Sequence, residues 1–257
     1  MLTPTPARTG LPEIVAHRGD AEHFPENSLP ALEAAWRHDL RHAEFDVQLS
    51  ADGVPYVIHD SNLERTTSST GDLRLMMSGQ LDGIDACEPR RFGADHAGTH
   101  LPRLTAVAGL MEGIPLARAF VELKRASLVH HGRQQCIDRT IEALAGVLDR
   151  CAVISFDAEA CRLMRKTAGI PIGWVFTGNP ALHLAELEDL QPEFAFCDQR
   201  GLPASGPLPP GPWTWAVYEV TDAGHARALH ARGVSLVESM APRRLLAELL
   251  GDMERRA

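Results

Sequence analysis

Paired cysteines are missing from this sequence. Its 257 residues include five cysteines, an odd number, and no two of them stand in the CxxC spacing of redox and zinc sites. A disulfide framework usually needs an even number, and a structural zinc site needs closely spaced pairs. We therefore expect reduced thiols at all five positions: Cys87, Cys136, Cys151, Cys161 and Cys197.

Long apolar runs and an excess of basic residues are missing as well. No apolar run approaches the roughly 20 residues that a membrane-spanning helix needs. The segment before Ile14 lacks the apolar centre of a signal peptide, so we expect a cytoplasmic protein without stable membrane insertion. The net charge of -9 argues against nucleic acid or an anionic membrane as a nonspecific partner, because both attract basic surfaces.

The front of the chain reads as strand, helix, strand, tight turn and strand. The strands are Ile14–His17, His42–Leu49 and Val54–His59, and the helix follows a capping residue at Asn27 or Ser28. The turn between the last two strands is too short for a crossover helix, so these strands form an antiparallel hairpin. That hairpin places His59 within about a residue of Glu44 on the neighbouring strand.

Residues 61 to 103 differ from the rest of the chain. They are rich in Ser, Thr, Gly, Arg and Asp and show weak periodicity, which indicates a functional insertion. After Pro102, strands alternate with amphipathic helices, as parallel βα units do. Nine strands with one hairpin predict a TIM (β/α)8 barrel over residues 1–257, with the insertion as a small subdomain after the third strand.

Acidic side chains end two of the predicted strands. Glu44 and Asp46 stand two apart on one strand and share a face, and Glu122 lies near the end of another. Three carboxylates repel one another unless a positive charge lies among them, and hard oxygen ligands suit Mg²⁺ or Ca²⁺. We therefore predict one divalent metal ion; the alternative is a separate ion pair with Arg or Lys for each acid.

Two histidines and two basic residues are predicted at the same end of the barrel. His17 and His59 end adjacent strands and can form an acid/base pair, because imidazole titrates near neutral pH. Arg18 and Lys124 can bind a phosphate anion there. The alternatives are structural histidines for the first pair, and ion pairs with neighbouring acids for the second.

Short motifs over nearly the whole chain strongly resemble the glycerophosphodiester phosphodiesterase family. They are His17-Arg18-Gly19, Pro25-Glu26-Asn27-Ser28, Glu44-x-Asp46, His59-Asp60, Arg65-Thr66-Thr67 with Gly71, and Val121-Glu122-Leu123-Lys124. Ser155-Phe156 and Trp215-Ala216-Val217 are similar to the later strands of that family. The resemblance implies a metal-dependent TIM barrel that hydrolyses glycerophosphodiesters to sn-glycerol 3-phosphate and an alcohol.

The resemblance also implies a role for each matching residue. Glu44, Asp46 and Glu122 would be the metal ligands, His17 and His59 the general base and acid, and Arg18 and Lys124 the phosphate ligands, with Glu26 bordering the site. The motifs do not decide which histidine is the acid, nor whether the metal is Mg²⁺ or Ca²⁺.

The last third departs from the family pattern. Tyr218 stands where the family has an asparagine after Trp-Thr-Val, and Glu238-Ser239-Met240 replaces the usual Thr-Asp ending of the last strand. These changes bear on substrate preference, because the predicted metal and histidine sets are intact. Trp215 and Tyr218 either contact the alcohol group of the substrate or belong to the core.

Other functions remain as alternatives to the diesterase. A phospholipase D-type lysophospholipid hydrolase of the same superfamily also uses two histidines and a metal. A non-catalytic phosphodiester-binding barrel would keep the fold, but it is disfavoured because no histidine or ligand is lost. The His-Arg-Gly and His-Asp motifs argue against a metal-dependent sugar isomerase.

Overall fold

A strand, a helix and a second strand form the front of the chain. The computed structural model describes residues 10–38 and 40–256, the side chains of residues 252–256 excepted. β1 spans Glu13–His17, α1 spans Leu29–Arg37 and β2 spans His42–Leu49. The Ser28 hydroxyl caps α1 by accepting the N–H of Ala31, with proline in the first turn as predicted.

The predicted hairpin is confirmed, with a shorter second strand. β3, Pro55–Val57, pairs antiparallel with the end of β2, and Val47 faces Val57. Continuing that register places His59 opposite Phe45, one residue from Glu44. β3 lies along the edge of β2 that β1 leaves free, because β1 pairs only with the first part of β2.

The insertion forms short elements around an apolar cluster of its own. A 3-10 turn spans Leu73–Leu75, α2 spans Ser78–Leu81 and α3 spans Pro89–Phe92. The cluster includes Leu63, Leu73, Leu81, Ile84 and Leu101, and it also contains two hairpin residues, Tyr56 and Ile58. The hairpin therefore connects the insertion to the barrel through shared apolar packing.

Helices and strands alternate after the insertion. The elements are α4 Leu104–Glu112, β4 Arg118–Leu123, α5 Arg125–His131, α6 Arg133–Ala143, β5 Cys151–Ser155, α7 Ala158–Ala168, β6 Ile172–Phe176, α8 Leu184–Leu190, β7 Phe194–Asp198, β8 Thr214–Tyr218, α9 Ala223–Ala231, β9 Leu236–Ser239 and α10 Pro242–Arg256.

Eight parallel strands close into a barrel. The order around the ring is β1, β2, β4, β5, β6, β7, β8 and β9, and β1 pairs with both β2 and β9. β3 stands outside the ring as an antiparallel addition to β2. The predicted TIM barrel with an early hairpin is therefore confirmed.

Side chains on the two faces of the strands form two apolar layers. Inside the ring, Phe120 contacts Phe194 and Phe196 with ring centroids 4.9 and 5.1 Å apart, both edge to face. The opposite face packs against the surrounding helices in a larger cluster. Successive side chains of each strand point alternately inward and outward, so each strand contributes to both layers. The inward side chains at the C-terminal ends of the strands belong to the candidate site.

The helical spacing of Ile137, Ile141, Leu144 and Leu148 predicts a helix over Gln134–Leu148, and the helix observed is shorter. α6 ends at Ala143, and a separate 3-10 turn spans Leu148–Arg150. Gly146 lies in the gap between them, and glycine weakens a helix because it loses more backbone entropy than other residues on folding. Sequence patterns also missed α5, which is separated from α6 by Gly132 at φ 85°.

The structure can be compared with two earlier expectations, one about membrane-spanning helices and one about the cysteines. Residues 10–38 and 40–256 contain no helix long and apolar enough to cross a membrane. All five cysteines are buried and free of disulfides. Burial raises the pKa of Cys136, Cys151, Cys161 and Cys197 to about 12, so these thiols stay protonated at neutral pH.

The inner apolar layer predicts a stability effect that is testable with matched leucines. Leu236 is 3% exposed inside the barrel, whereas Leu182 is 80% exposed. Leu236→Ala should lower the free energy of unfolding by about 2–5 kcal/mol, because it opens a cavity in the core. Leu182→Ala should change it by less than about 0.5 kcal/mol. Equilibrium denaturation measures both, and equal effects would contradict the assignment of the inner layer.

Candidate active site

The predicted site residues gather at the C-terminal end of the barrel strands. Four strand ends and the short segments that follow them supply the group: His17 and Arg18 at β1, Glu44 and Asp46 in β2, His59 after β3, and Glu122 and Lys124 at β4. This is the end at which TIM barrels carry their working residues, because the βα loops converge there.

Three buried carboxylates form the predicted metal-ligand group. Glu44, Asp46 and Glu122 each offer one oxygen, and these atoms lie within 4.8 Å of one another. Glu44 and Asp46 are 1% exposed and Glu122 is 8% exposed. Oxygen donors at this spacing can surround one hard divalent cation.

Basic and amide groups hold Asp46 in its charged form. Lys124 Nζ lies 3.1 Å from Asp46 Oδ1, and Arg18 Nε lies 3.3 Å from Oδ2. Asn27 brackets the same residue: its Nδ2 donates to Oδ2 at 2.8 Å, and its Oδ1 accepts the Asp46 N–H at 3.1 Å. Burial would raise the pKa of Asp46, but the charges of Lys124 and Arg18 lower it well below its usual range.

Glu44 has the opposite environment. Burial, and then the negative charge of Asp46, raise the pKa of Glu44 well above its usual value. Its Oε2 accepts the Arg18 N–H at 3.2 Å, but its Oε1 is buried without a hydrogen bond from any described residue. An orphaned buried oxygen among repelling carboxylates fits a bound cation, because a cation satisfies the oxygen and removes the repulsion.

A tight turn after β1 places Arg18 over the carboxylates. Arg18 and Gly19 both have positive φ, 57° and 83°. A Cβ on Gly19 would lie 2.6 Å from the backbone carbon of Ala31, so only glycine fits there. The turn directs the Arg18 side chain toward Asp46 and toward Glu26, whose Oε1 accepts Arg18 Nη1 at 2.7 Å.

Glu26 joins two arginines from different parts of the chain. It accepts from Arg18 and, through both oxygens, from Arg65 of the insertion at 2.7 and 2.8 Å. Burial would raise the pKa of Glu26, but the hydrogen bonds and charges of the two arginines lower it. Glu26 therefore borders the site as an anchor for Arg18.

Each catalytic candidate histidine has a carboxylate on its Nδ1. His17 Nδ1 lies 2.5 Å from Glu219 Oε2, and His59 Nδ1 lies 2.6 Å from Asp60 Oδ1. Such a contact fixes the tautomer and the ring orientation, so Nε2 is the atom left for chemistry. His17 Nε2 lies 3.8 Å from Glu44 Oε2, beside the carboxylate group.

The two histidines differ in their pKa shifts. Burial opposes the charged form of His17, but the charge of Glu238 and the hydrogen bond to Glu219 raise its pKa above 6.5. Burial lowers the pKa of His59, and the attraction of Asp46 offsets this effect only in part. Surroundings that shift two titratable groups in opposite directions are common in acid/base pairs.

Sequence reasoning missed two acidic residues of the site. Glu219 follows β8 and contacts His17 across 202 sequence positions, so no local sequence pattern predicts this contact. Its other oxygen accepts the N–H of Met240 at 2.6 Å. Glu238 lies on the inward face of β9, and alternation from Leu236 is the signal that would have found it.

The aromatic residues of β8 separate to opposite faces. Trp215 is 5% exposed in the outer cluster, and its Nε1 donates to the carbonyl of Pro209 at 3.0 Å. Among the predicted site residues, Trp215 alone lies away from the charged group at the barrel end. Of the two alternatives for Trp215, this position corresponds to a place in the core. Tyr218 packs against the inner cluster, and its hydroxyl donates to the carbonyl of Phe176 at 3.2 Å.

Comparison with curated proteins finds glycerophosphodiester phosphodiesterases. The chain is 30% identical over 155 residues to one of Caldanaerobacter subterraneus subsp. tengcongensis, a match that covers 60% of this chain and 62% of that protein. It is 33% identical over 90 residues to glycerophosphodiester phosphodiesterase 1 of Bos taurus, which covers 35% of this chain and 27% of that protein. The matched part is thus less than two thirds of the length of either relative.

Comparison with solved structures finds the same fold. A phosphodiesterase of Oleispira antarctica, in complex with the product sn-glycerol-3-phosphate, has a TM-score of 0.81 at 23% identity and covers 92% of this chain and 96% of its own. A glycerophosphoryl diester phosphodiesterase described from Silicibacter pomeroyi has a TM-score of 0.80 at 19% identity, over 96% and 95%.

One family model matches the greater part of the sequence. The match extends over residues 17–205, which includes the barrel end from His17 to Lys124 and all of the insertion. This chain belongs to the glycerophosphoryl diester phosphodiesterase family.

Proposed function

We propose that this protein hydrolyses glycerophosphodiesters, such as glycerophosphocholine or glycerophosphoethanolamine, to sn-glycerol 3-phosphate and an alcohol. The observation that carries the proposal is one group at the barrel end: three buried carboxylates, two basic side chains and two histidines whose Nδ1 atoms are already engaged. The product complex of the Oleispira antarctica phosphodiesterase supports the same substrate class.

The carboxylates are proposed to hold one divalent metal ion. Glu44, Asp46 and Glu122 would bind Mg²⁺ or Ca²⁺, which would act as a Lewis acid toward a phosphoryl oxygen. Their burial excludes water from the oxygens that face the ion. Asn27 keeps Asp46 in a fixed orientation by two hydrogen bonds, so the ligand group is preorganised.

Arg18 and Lys124 are proposed to bind the phosphate. Both side chains are largely buried at the edge of the carboxylate group, with 13% and 14% exposure. Arg18 already uses Nη1 on Glu26, which fixes the plane of its guanidinium group. A planar guanidinium held in this way can donate two parallel hydrogen bonds to phosphate oxygens.

The histidines are proposed to move the protons. One Nε2 takes the proton of the attacking oxygen, which belongs either to water or to the glycerol 2-hydroxyl of the substrate. Attack by that hydroxyl would give a cyclic phosphate, which water would then open to glycerol 3-phosphate. As the new P–O bond forms, the bond to the leaving alcohol breaks, and the other Nε2 protonates the alkoxide. Glu219 and Asp60 stabilise the positive charge that appears on each imidazole in turn.

Removal of one histidine tests the proton-transfer step. His59→Ala should reduce kcat by about 10²–10⁴-fold with an unchanged melting temperature, since His59 packs at the surface of the site. His225→Ala is the matched control, because His225 is exposed on α9, and its kcat should stay at the wild-type value. Near wild-type turnover by His59→Ala would contradict the assigned role.

Metal removal and a substrate panel test the reaction class. Dialysis against EDTA should abolish release of glycerol 3-phosphate, and Mg²⁺ or Ca²⁺ should restore it, because the carboxylates repel one another without a cation. The panel contains glycerophosphocholine, glycerophosphoethanolamine and lysophosphatidylcholine. Turnover of lysophosphatidylcholine alone would favour the phospholipase D-type alternative, and binding without turnover of any diester would favour a binding module.

Removal of the Glu26 charge tests how much its ion pairs with Arg18 and Arg65 stabilise the fold. Glu26→Gln should lower the free energy of unfolding at pH 7 by about 2–3 kcal/mol, because two arginines lose their anionic partner and Arg65 is partly solvated. The pKa of Glu26 is below its ordinary 4.5 in the folded state. Its stabilisation is therefore complete above pH 4.5 and is lost as the pH falls through the folded-state pKa.

Denaturation of both proteins at pH 7, 5 and 3.5 measures this dependence. The difference between wild type and Glu26→Gln should be constant at pH 7 and 5 and smaller at pH 3.5. Glu33→Gln removes an exposed partner of Arg37 and should cost less than about 0.5 kcal/mol at each pH. A difference that grows toward low pH would contradict the role of the Glu26 charge.

A further inference from the structure

One inward-facing carboxylate has no part in the proposed reaction. Glu238 is 4% exposed on β9, and its Oε1 is buried without a hydrogen bond from any described residue. Among the side chains that the structure describes, those of residues 10–38 and 40–251, no Lys or Arg forms an ion pair with Glu238, and the basic group that faces it is His17. A buried carboxylate that only a histidine faces is unfavourable, so it either takes up a proton or faces a cation from outside the chain.

Glu238 completes a second group of possible metal ligands. His17, Glu44 and Glu238 each offer one atom, and these atoms lie within 4.8 Å of one another. Glu44 belongs to this group and to the group with Asp46 and Glu122. A carboxylate has two oxygens, so a shared Glu44 can bridge two cations about 3.5–4 Å apart, as in other two-cation sites.

His17 is oriented in the way that metal-binding histidines usually are. Its Nδ1 contacts Glu219 at 2.5 Å, and Glu219 is itself fixed by the N–H of Met240 at 2.6 Å. A histidine that binds a metal through one nitrogen commonly donates its other N–H to a carboxylate. Nε2 of His17 is therefore directed at Glu44, with the ring held from behind.

The charges around Glu238 predict that a second cation is bound more weakly than the first. Four inward carboxylates, those of Glu44, Asp46, Glu122 and Glu238, stand against two basic side chains, Arg18 and Lys124. One divalent ion brings the formal charge of the group to zero, so a second ion is held less tightly. One imidazole nitrogen with two carboxylates suits Mn²⁺ or Zn²⁺ better than Ca²⁺.

We propose that His17, Glu44 and Glu238 form a second, weaker site for a divalent transition-metal ion such as Mn²⁺. Occupation of this site engages Nε2 of His17. In the proposed function that nitrogen moves a proton, so excess metal stops turnover. The site itself does not depend on the proposed function, since metal binding is measured without substrate.

Counting bound Mn²⁺ tests the site. Electron paramagnetic resonance of free Mn²⁺ during titration of the metal-free protein should show two ions per wild-type chain, one tight and one weak. Glu238→Gln keeps the shape of the side chain and should bind one ion. Glu142→Gln removes an equal charge from the surface, where its partner is Arg139, and should bind two.

Several outcomes would overturn the second site. One ion per wild-type chain, or two ions in Glu238→Gln, would do so, and the first result would point to a protonated Glu238. Crystals of the wild type soaked in Mn²⁺ give an independent count by anomalous scattering, which does not rely on any variant folding. Two adjacent peaks bridged by Glu44 support the site, and a single peak overturns it.

The dependence of activity on Mn²⁺ tests the inhibition. Wild-type turnover should rise and then fall by about tenfold or more as the weak site fills, because His17 is withdrawn from proton transfer. The rise should persist in Glu238→Gln and the fall should disappear. Inhibition of equal size in both proteins would overturn the role of Glu238. Two bound ions without diesterase activity at any concentration would confirm the site and reject the proposed function.

Discussion

Repulsion among buried carboxylates is the constraint on which the arrangement of the barrel end depends. Acids from β2, β4 and β9 point into one small volume from which water is excluded. The fold offsets part of this repulsion with Lys124 and Arg18, both aimed at Asp46, and leaves Glu44 and Glu238 with orphaned oxygens. The protein therefore gives up local stability to keep a cavity of negative charge, as sites that bind cations generally do.

The insertion contributes a charged side chain to the site. Arg65 contacts Asp60 and Glu26, Asp60 contacts His59, and Glu26 contacts Arg18. This continuous chain of charged groups connects His59, the proposed proton-transfer group, to Arg18, the proposed phosphate ligand. Its apolar cluster shares Tyr56 and Ile58 with the hairpin, so the orientation of His59 depends on how the insertion packs.

How well each feature of this protein is predicted from its sequence depends on how far apart in the sequence the interacting residues lie. The strand alternation, the hairpin and the carboxylate group on β2 were predictable because they rest on spacings of two residues and on one short turn. Glu122 and Lys124 were also predictable, because they stand at the end of a predicted strand and lie in a motif of the family. Glu219 and Glu238 were not, because their importance comes from ring closure, which brings β9 beside β1 and β8 next to β9. The family pattern drew attention to Met240, whereas the residue that faces the site is Glu238.

Closure of the ring sets the order in which the site is completed. Among the described residues β9 is the strand latest in the sequence, and its pairing with β1 closes the barrel. His17 emerges early, but the carboxylate that orients it lies 202 positions later. Until β9 pairs with β1, the carboxylates of β2 and β4 therefore lie on an acidic, open sheet. Contacts of such long range are slow to form, so we expect the site to be completed late in folding.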